Sequence, residues 1–483
     1  MPIEFLRRTP STVRLCSLRE DVLVESNVED ESLLVTSRWG EFHISDPDPI
    51  VNESLRRMSL GPVSLQNVVS TVRPWRSGNA EYSDEAASLE RVLTRLSGSV
   101  VHSLGLADTH GPLFSADPVI RNPAFTPPSV GSSQPVRLSR FAAIRPSDDG
   151  LVLESPLAPY RVVLHQPLLS ELIAWFNTPV ATAELASDLR IPQPVIAEIV
   201  SYLAASGTVL IGDDNARFAE DDDSTLQGWS HHELLFHSRS RMARHDVASG
   251  AVYALPAEQP PTVKPVPEGE QLALFRPDQS ALAREDTPPV DVPSGNYDPG
   301  PAVTQLSAAQ LGELLFRAAR LHSVVPVHPE MGVSYEISER PYWSSRGVYE
   351  LELYVSVNEC AGLRCGIYHY DPQRHALTLI NDSDADLIEL LDSAKIAAGS
   401  TKRPPALITT TARMVRLFWM FGGNAYAMTL MHAGALQQML HSTAAAMGLS
   451  TSAVARDASD VTDRALRLRW PSEVGVGQCA IGL

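Results

Sequence analysis

Histidine is the residue type in this sequence that is best suited to bind a metal or to move a proton near neutral pH. The segment from Trp229 to Arg241, WSHHELLFHSRSR, carries His231, His232 and His237. Their spacing of i, i+1 and i+6 does not place the three side chains on one face of a helix. A helix that packs its leucines and phenylalanine is therefore favoured over a metal site.

Other chemically useful residues are scattered. His432 and His441 lie nine residues apart, or two and a half helical turns, so they are expected on roughly opposite faces, and neither is expected to form a pair. Cys360 and Cys365 could pair across a turn, but free thiols in a reducing cytosol are favoured.

The acidic run Glu220 to Asp223 is typical of a solvated linker, and metal binding is the less favoured interpretation. No P-loop, Ser-His-Asp arrangement or dinucleotide-binding glycine pattern occurs at a plausible junction, and no metal is expected.

Composition limits the class of protein. The chain has 483 residues, which suggests roughly two to four domains, and 39 basic against 57 acidic residues give a net charge of −18. Because nucleic-acid-binding surfaces are basic, we expect no nucleic-acid partner. The sequence has no run of about 20 apolar residues. Its N-terminal MPIEFLRRTP lacks the apolar core of a signal peptide. We therefore expect no membrane span and a cytoplasmic location.

The elements that must position any site divide the chain into two halves. In the first half, alternation at 13–43 predicts strands, and amphipathic patterns at 50–59 and 85–96 predict helices. A similar order follows a linker at 122–135: a strand at 160–165, helices at 168–176, 178–189 and 192–205, and a strand at 207–211. Hairpin, helix, turn, helix and strand is a winged-helix layout. We predict two diverged winged-helix-like domains, at 1–118 and 135–213.

The pattern of the second half predicts an α+β domain at 225–483. Residues 255–301 are rich in Pro and Gly and are predicted to form an extended connector. The elements expected after it are a helix at 307–321, a hairpin within 340–371, a helix at 384–398, a strand at 406–411, a long helix at 428–447, and strands at 449–454 and 474–481. Such an alternation around one long apolar helix is typical of α+β folds.

The stretch from Arg340 to Pro372 carries the first of two motifs that resemble a known family. It reads RPYWSSRGVYELELY before a turn and GIYHYDP after it. The SagB/McbC-type azoline dehydrogenases of the nitroreductase superfamily have a pattern close to R-P-x-P-S-G-G-A-x-x-P-L-E-L-Y and G-L-Y-H-Y-D-P in this place. The matching residues are Arg340, Pro341, Ser344, Leu351, Glu352, Leu353, Tyr354, Gly366, Tyr368, His369, Tyr370, Asp371 and Pro372. The departing residues are Trp343, Ser345, Arg346 and Glu350.

The second motif, TTARMVRLFWMFGGNAYA from Thr410 to Ala427, resembles the family's T-A-R-x-x-R-x-x-W-K-Y-x-x-x-x-Y-R. Met420 and Phe421 stand in place of the Lys-Tyr pair that is proposed to remove a proton in the family. Neither side chain can accept or donate that proton. Tyr426 matches the pattern and is a candidate donor, although a core tyrosine is the favoured role, so the catalytic residues stay unassigned.

The resemblance covers roughly residues 229–482. It implies a nitroreductase-like, FMN-type domain, preceded here by the winged-helix-like domains, with FMN bound at a homodimer interface. The residues implied to bind the cofactor are Arg340, Ser344, Ser345, Arg346, Arg413 and Arg416. Arg346 could anchor the phosphate, fill the cavity or be an exposed turn arginine. Family members often carry an arginine run before the helix at 307–321, whereas Val292 to Tyr297 contains no arginine.

Two functions follow from the resemblance. The first is an FMN-dependent dehydrogenase that oxidises azolines to azoles in a ribosomally synthesised peptide, with the precursor peptide and a cyclodehydratase as partners. The N-terminal half would dock the leader peptide or a partner enzyme, and a peptide can add to a sheet edge there. The alternative is a catalytically degenerate subunit that serves as partner or scaffold, alone as a homodimer or with an active paralogue. A winged-helix regulator is disfavoured by the acidic charge.

Overall fold

The computed structural model describes residues 11–27, 32–68, 84–107, 111–148, 150–241, 258–278, 305–454 and 459–482. The chain forms two compact units, Met1–Ser249 and Gly250–Leu483. Among the helices in these described ranges, none combines the length and the apolar character that crossing a membrane requires.

The N-terminal unit contains three sheets. Its strands are β1 Thr12–Leu18, β2 Leu23–Asn27, β3 Ser32–Ser37, β4 Gly40–Ser45, β5 Val100–Leu106, β6 Pro112–Pro118, β7 Pro135–Leu138, β8 Ala143–Ser147, β9 Gly150–Glu154, β10 Tyr160–Leu164, β11 Val180–Ala181 and β12 Val209–Ile211. Its helices are α1 Pro49–Met58, α2 Asp84–Arg95, α3 Pro167–Trp175, α4 Thr182–Leu189, α5 Gln193–Ser206, α6 Ala219–Asp222 and α7 His231–Arg239. The strand orders are β1-β5-β6-β10-β9-β8, β2-β3-β4 and β11-β7-β12.

The helices α1 to α5 lie where the periodic patterns predict them, but β5 and β6 are not predicted. Their sequences, VVHSLGL and PLFSADP, mix apolar with small polar residues. Ser103 and Ser115 bond each other at 2.7 Å, and Ser115 also bonds His165 at 2.8 Å, so polar side chains are satisfied inside the sheet. The six-stranded sheet thus takes three strands from each predicted winged-helix-like domain. The division into two such domains stays a prediction.

The C-terminal unit is built on a seven-stranded sheet of order β13-β18-β17-β16-β19-β21-β20. The strands are β13 Gln271–Ala273, β14 Ser323–Val325, β15 Ile337–Glu339, β16 Leu351–Val357, β17 Gly366–Asp371, β18 Ala376–Asn381, β19 Ala406–Arg413, β20 Thr451–Val454 and β21 Glu473–Ile481. The helices are α8 Ala308–Ala319, α9 Asp384–Ala397, α10 Met414–Phe421, α11 Ala425–Ala446 and α12 Ser459–Ala465. The predicted α+β class is confirmed.

The central strand β16 separates two apolar layers. Leu351, Leu353, Val355 and Val357 lie in the core shared with α8, α10 and α11, whereas Tyr354 lies in the core beneath α9 and α12. Successive side chains of a strand point to opposite faces, so one fully buried strand supports both layers. This arrangement fixes α11 and the N-terminal end of β16 close together, which positions the candidate site.

Residues 258–278 of the predicted connector lie along this unit, and we call them the strap. Within the strap, β13 pairs with β18 at the edge of the sheet. The N–H of Leu274 donates to the carbonyl of His375 at 3.0 Å. Gly269 allows a close approach, because a Cβ there would lie 2.0 Å from the carbonyl oxygen of Leu379. The strap is therefore docked on the domain, and the prediction of an extended connector over 255–301 stays a prediction.

Candidate functional site

The loop of residues 340–349 connects β15 to β16 and is tightly turned. Backbone φ is positive at Arg346 (57°), Gly347 (67°) and Tyr349 (41°), a conformation that non-glycine residues rarely adopt. The Ser344 hydroxyl accepts the N–H of Tyr349 at 3.1 Å, and the Tyr349 hydroxyl donates to two earlier carbonyls of the loop at 3.2 and 2.8 Å. The loop is thus closed on itself.

His432 of α11 lies directly behind this loop. Its Nε2 accepts the N–H of Ser345 at 2.8 Å, and its Nδ1 lies 3.0 Å from each carboxylate oxygen of Glu350. Both His432 and Glu350 are completely buried. Because Nε2 accepts a hydrogen bond, a neutral ring carries its proton on Nδ1 and donates it to Glu350.

The expectation that His432 has no partner is therefore wrong. It is correct that His432 does not pair with His441, which bonds Thr451 at 2.6 Å instead. The sequence signal that identifies the true partner is Glu350, an acidic residue at a position where the family pattern has proline. A contact 82 residues apart in the chain is not readable from helical spacing.

Arg413 and Arg416, two of the predicted cofactor-binding residues, hold the strap. Their guanidinium groups donate to the backbone carbonyls of Pro260–Thr262 at 2.6 to 2.9 Å. Arg416 is completely buried and also donates to the carbonyl of Val348. Burial lowers the pKa of Arg416 to about 9, and the neighbouring arginines add to this effect. Each nitrogen of Arg416 has a protein partner.

Buried carboxylates balance these arginines. Glu352 Oε1 lies 2.8 Å from Arg413 Nε, and Oε2 lies 3.2 Å from His369 Nε2. Burial alone would raise the pKa of Glu352, but the charge of Arg413 and the bond to His369 outweigh it and hold the pKa at about 2. Lys264 of the strap reaches Glu473 at 2.5 Å. Arg413 at the end of β19 and Glu473 at the beginning of β21 therefore each bind the strap.

Arg340 is a buried residue of the predicted site whose donors are only partly used. Its Nη1 donates to the carbonyl of Leu351 at 3.3 Å, while Nε and Nη2 have no hydrogen-bond partner among the described residues. The side chain is buried, with the cation 5.5 Å from the centre of the Tyr349 ring. Arg346, in contrast, is exposed. Unpartnered buried donors are unusual, so Arg340 is available to an acceptor that reaches the loop.

Met420 and Phe421 lie at the end of α10. Met420 is 1% exposed and belongs to the core, and Phe421 packs against the same core. Neither can move a proton. Tyr426 is 41% exposed at the beginning of α11, so it is not a core tyrosine, and its role as a donor stays a prediction.

Large apolar side chains are exposed on α10, α11 and the loop, and we call them the apolar face. They are Trp343, Val415, Phe418, Tyr426, Leu430 and Met431, each 40–56% exposed. Trp343 meets His432 edge-on, with 5.1 Å between ring centres. Clustered exposed apolar side chains are typical of binding surfaces.

Other residues singled out in the sequence have structural partners. His231 Nδ1 bonds the carbonyl oxygen of Phe141 at 2.9 Å. Within the described ranges, no three His, Cys, Asp or Glu side chains are grouped as metal ligands. All four cysteines are free thiols, and Cys365 donates to the carbonyl of Asn358 at 3.0 Å. The stretch 292–297 lies outside the described residues.

Comparisons with known proteins agree with the resemblance found in the motifs. Residues 136–246 match the family model of the cyanobactin oxidase ThcOx. MJ1384 of Methanocaldococcus jannaschii, described as a nitroreductase, is 26% identical over 128 residues, or 26% of this chain and 61% of the relative. The chain is therefore similar to proteins of the nitroreductase superfamily. Its resemblance to the azoline-dehydrogenase type is confirmed, and the chain spans about three-fifths of the length of this curated relative.

Among solved structures, a protein of Anabaena variabilis described as a nitroreductase has a TM-score of 0.37 and 18% identity, covering 51% of this chain and 45% of its own. A chain of the Escherichia coli microcin synthetase McbBCD complex, solved with truncated pro-MccB17 bound, has a TM-score of 0.33 and 18% identity, covering 44% of this chain and 75% of its own. Similarity at this level supports no inference about the chemistry of this chain.

The nitroreductase-like fold implies a flavin, and the described residues fit one in part. The apolar face is suited to a planar ring, and Arg340 and Arg346, in the same loop as Trp343, could supply donors. Arg413 and Arg416 do not fit as phosphate ligands in this geometry, because their donors are bonded to the strap. The fit is therefore better for the ring than for the phosphate.

Proposed function

We propose that this chain is the flavin-dependent dehydrogenase of a cytoplasmic peptide-modifying system, and that it oxidises azolines to azoles in a ribosomally synthesised peptide. The observation that carries the proposal is that one loop holds both Trp343 of the apolar face and Arg340, whose Nε and Nη2 have no hydrogen-bond partner among the described residues. A flavin needs N–H or cationic donors next to a flat apolar surface on which substrate can lie. The match of residues 136–246 to a cyanobactin oxidase model supports the same reading.

The chemistry defines what the residues must do. Azoline oxidation removes a proton from one ring carbon and a hydride from its neighbour. FMN, when bound, supplies the hydride acceptor. The loop would orient the reacting ring, and the apolar face would exclude water from it. Because Met420 and Phe421 cannot accept the proton, we propose that it leaves to solvent or to a group of a second subunit.

A second candidate is a catalytically degenerate subunit that scaffolds an active dehydrogenase or the modifying complex. Two observations favour it: Met420 is sealed in the core, and Arg413 and Arg416 bind the strap instead of facing an anion. Such a subunit would use its apolar face to pair with a paralogue that supplies Lys and Tyr. As a homodimer, the same face would join two copies of this chain.

We propose that the precursor peptide docks on the N-terminal unit beside β4. Among the described residues this strand pairs only with β3, so its other edge has no strand partner there. A cavity of about 300 Å³ beside it is lined by Phe42 and Ile44 of β4 and by Val92 of α2. Arg95 of α2 donates to the carbonyl of His43 at 3.4 Å, which places a side-chain donor on the strand backbone. An extended peptide that adds to β4 would replace this bond.

The purified protein distinguishes the two candidates by its absorbance. A yellow protein with flavin bands near one per chain, and turnover on an azoline-bearing peptide, are expected of the dehydrogenase. A colourless protein that FMN does not reconstitute refutes the dehydrogenase and supports the scaffold. Turnover that appears only after a paralogue is added also favours the scaffold. Copurification of a cyclodehydratase is expected of either candidate, so it tests the partner and not the chemistry.

A further inference from the structure

The residues that depart from the family pattern in the loop form one physical unit around His432. The N–H of Ser345 donates to Nε2 at 2.8 Å, and the carboxylate of Glu350 accepts from Nδ1 at 3.0 Å. Trp343 covers the ring edge-on at 5.1 Å. Arg346, the remaining departure, follows Ser345 directly and has a φ of 57°. Three of the four substitutions therefore contact the same residue, His432, and the fourth adjoins Ser345 in the turn.

We propose that His432 and Glu350 are positioning residues that latch the loop in a single geometry, in place of the conformational freedom that the family's two glycines give this loop. Arg346 and Tyr349 have positive φ, 57° and 41°, which is unfavourable for a residue other than glycine. Such a conformation persists only when surrounding contacts impose it. The bond from Ser345 to His432 ties the strained turn to the longest helix of the domain. Tyr335 adds a second tie, since its hydroxyl donates to the carbonyl of Arg346 at 3.2 Å.

The two hydrogen bonds of His432 require one protonation state of its ring. Nε2 must be unprotonated to accept the Ser345 N–H, and Nδ1 must carry the proton for Glu350. Burial of both side chains at 0% exposure keeps water from replacing either bond. Gly347 restricts the alternatives further, because a Cβ there would lie 2.1 Å from Ile337 Cγ2. The turn is thereby fixed from the helix side and from β15.

The consequence for function rests on the proposed dehydrogenase. A latched loop holds Trp343 of the apolar face and the neighbouring Arg346 at fixed positions, so a bound ring would meet one defined surface instead of a flexible loop. Since His432 acts through Ser345 and touches no substrate, it is a positioning residue.

Amide hydrogen exchange of the protein without added flavin or substrate tests the latch. The side-chain amide of glutamine can place an acceptor where Nε2 lies, whereas that of asparagine reaches only as far as Nδ1. His432→Asn is expected to speed exchange of the peptide containing Ser345 by about tenfold or more, because the part-buried N–H loses its acceptor. His432→Gln is expected to keep exchange within about threefold of wild type. His441→Asn on the same helix is the matched control and should leave this peptide unchanged.

Two further measurements keep the test decisive. Trypsin should cleave after the exposed Arg346 faster in His432→Asn than in His432→Gln. If His432→Asn does not fold, the wild-type protein still provides a test. The ¹⁵N chemical shifts of its His432 ring must then show a neutral ring that is protonated on Nδ1. Equal exchange in wild type and His432→Asn, or a ring protonated on Nε2, overturns the latch. A colourless protein that passes these tests refutes only the proposed dehydrogenase.

Discussion

Replacing Arg416 by methionine tests whether this arginine holds the strap or serves an anion site. Methionine has a similar length and no charge. The variant leaves the carbonyls of Val348 and Pro260 without donors, and each unsatisfied buried carbonyl costs about 1–3 kcal/mol. Removing the guanidinium also removes the free-energy penalty of burying its charge, which offsets part of this destabilisation. We expect a net loss of about 3 kcal/mol in the stability of the C-terminal unit.

The assay combines urea unfolding with hydrogen exchange and limited proteolysis. Exchange of peptides from residues 258–278 should accelerate before the rest of the domain unfolds, because the strap loses its tie to α10. A glutamate-specific protease should then cleave the strap after Glu268 faster than in the wild type, because the chain around this residue is no longer held against the domain. Arg403→Met is the matched control, since Arg403 pairs with Asp392 at the surface, and we expect no change in the unfolding midpoint.

Either of two results refutes this reasoning. An Arg416→Met variant with wild-type stability would mean that the buried bonds contribute nothing. Normal stability with lost flavin binding would mean that Arg416 is a phosphate ligand and that the strap moves aside.

Two further predictions concern charge and assembly. The pKa of Glu352, about 2 in the folded chain, lies below its ordinary value of 4.5, so its ionised form stabilises the fold above pH 4.5, and this contribution is lost as pH falls from 4.5 towards 2. Glu352→Gln should therefore be less stable than wild type at neutral pH and approach it in acid, as measured by urea titration at several pH values. Replacing Leu430 by Glu and Met431 by Lys should convert a dimer to a monomer in sedimentation experiments, while the same changes at the exposed Ile388 and Ile396 of α9 should not.

The sequence predicts the C-terminal fold well, because its elements carry strong periodic signals. The run from Leu351 to Val357 alternates leucine and valine with Glu352, Tyr354 and Ser356, which is typical of a strand, and α11 is long and mostly apolar. The docking of the strap is not predictable in the same way. It depends on hydrogen bonds from Arg413 and Arg416 to backbone carbonyls more than 150 residues away in the chain. Because every residue has a backbone carbonyl, the sequence does not show which carbonyls accept these bonds.

The retained and the replaced motif residues do different physical work. Arg413, Arg416 and Glu352 match the family pattern, and in this chain they hold the strap to the strand ends. A match at such positions therefore indicates the fold and says little about catalysis. The replaced positions lie at the loop and at Met420 and Phe421, where the chemistry would occur.

Restoring the family's pair tests whether that place can still hold a proton acceptor. Met420 is 1% exposed, so Met420→Lys buries an ammonium group among apolar side chains, and we expect it to destabilise the domain by several kcal/mol (about 3 or more) unless the lysine becomes neutral. Phe421→Tyr should change the stability by no more than about 1 kcal/mol, because Phe421 is only partly buried and the hydroxyl of the new tyrosine could reach water. Thermal unfolding of the two single variants measures the difference. If Met420→Lys is as stable as wild type and titrates normally, the end of α10 opens to solvent, and the absence of the Lys-Tyr pair would then be a loss of chemistry alone and not of the site.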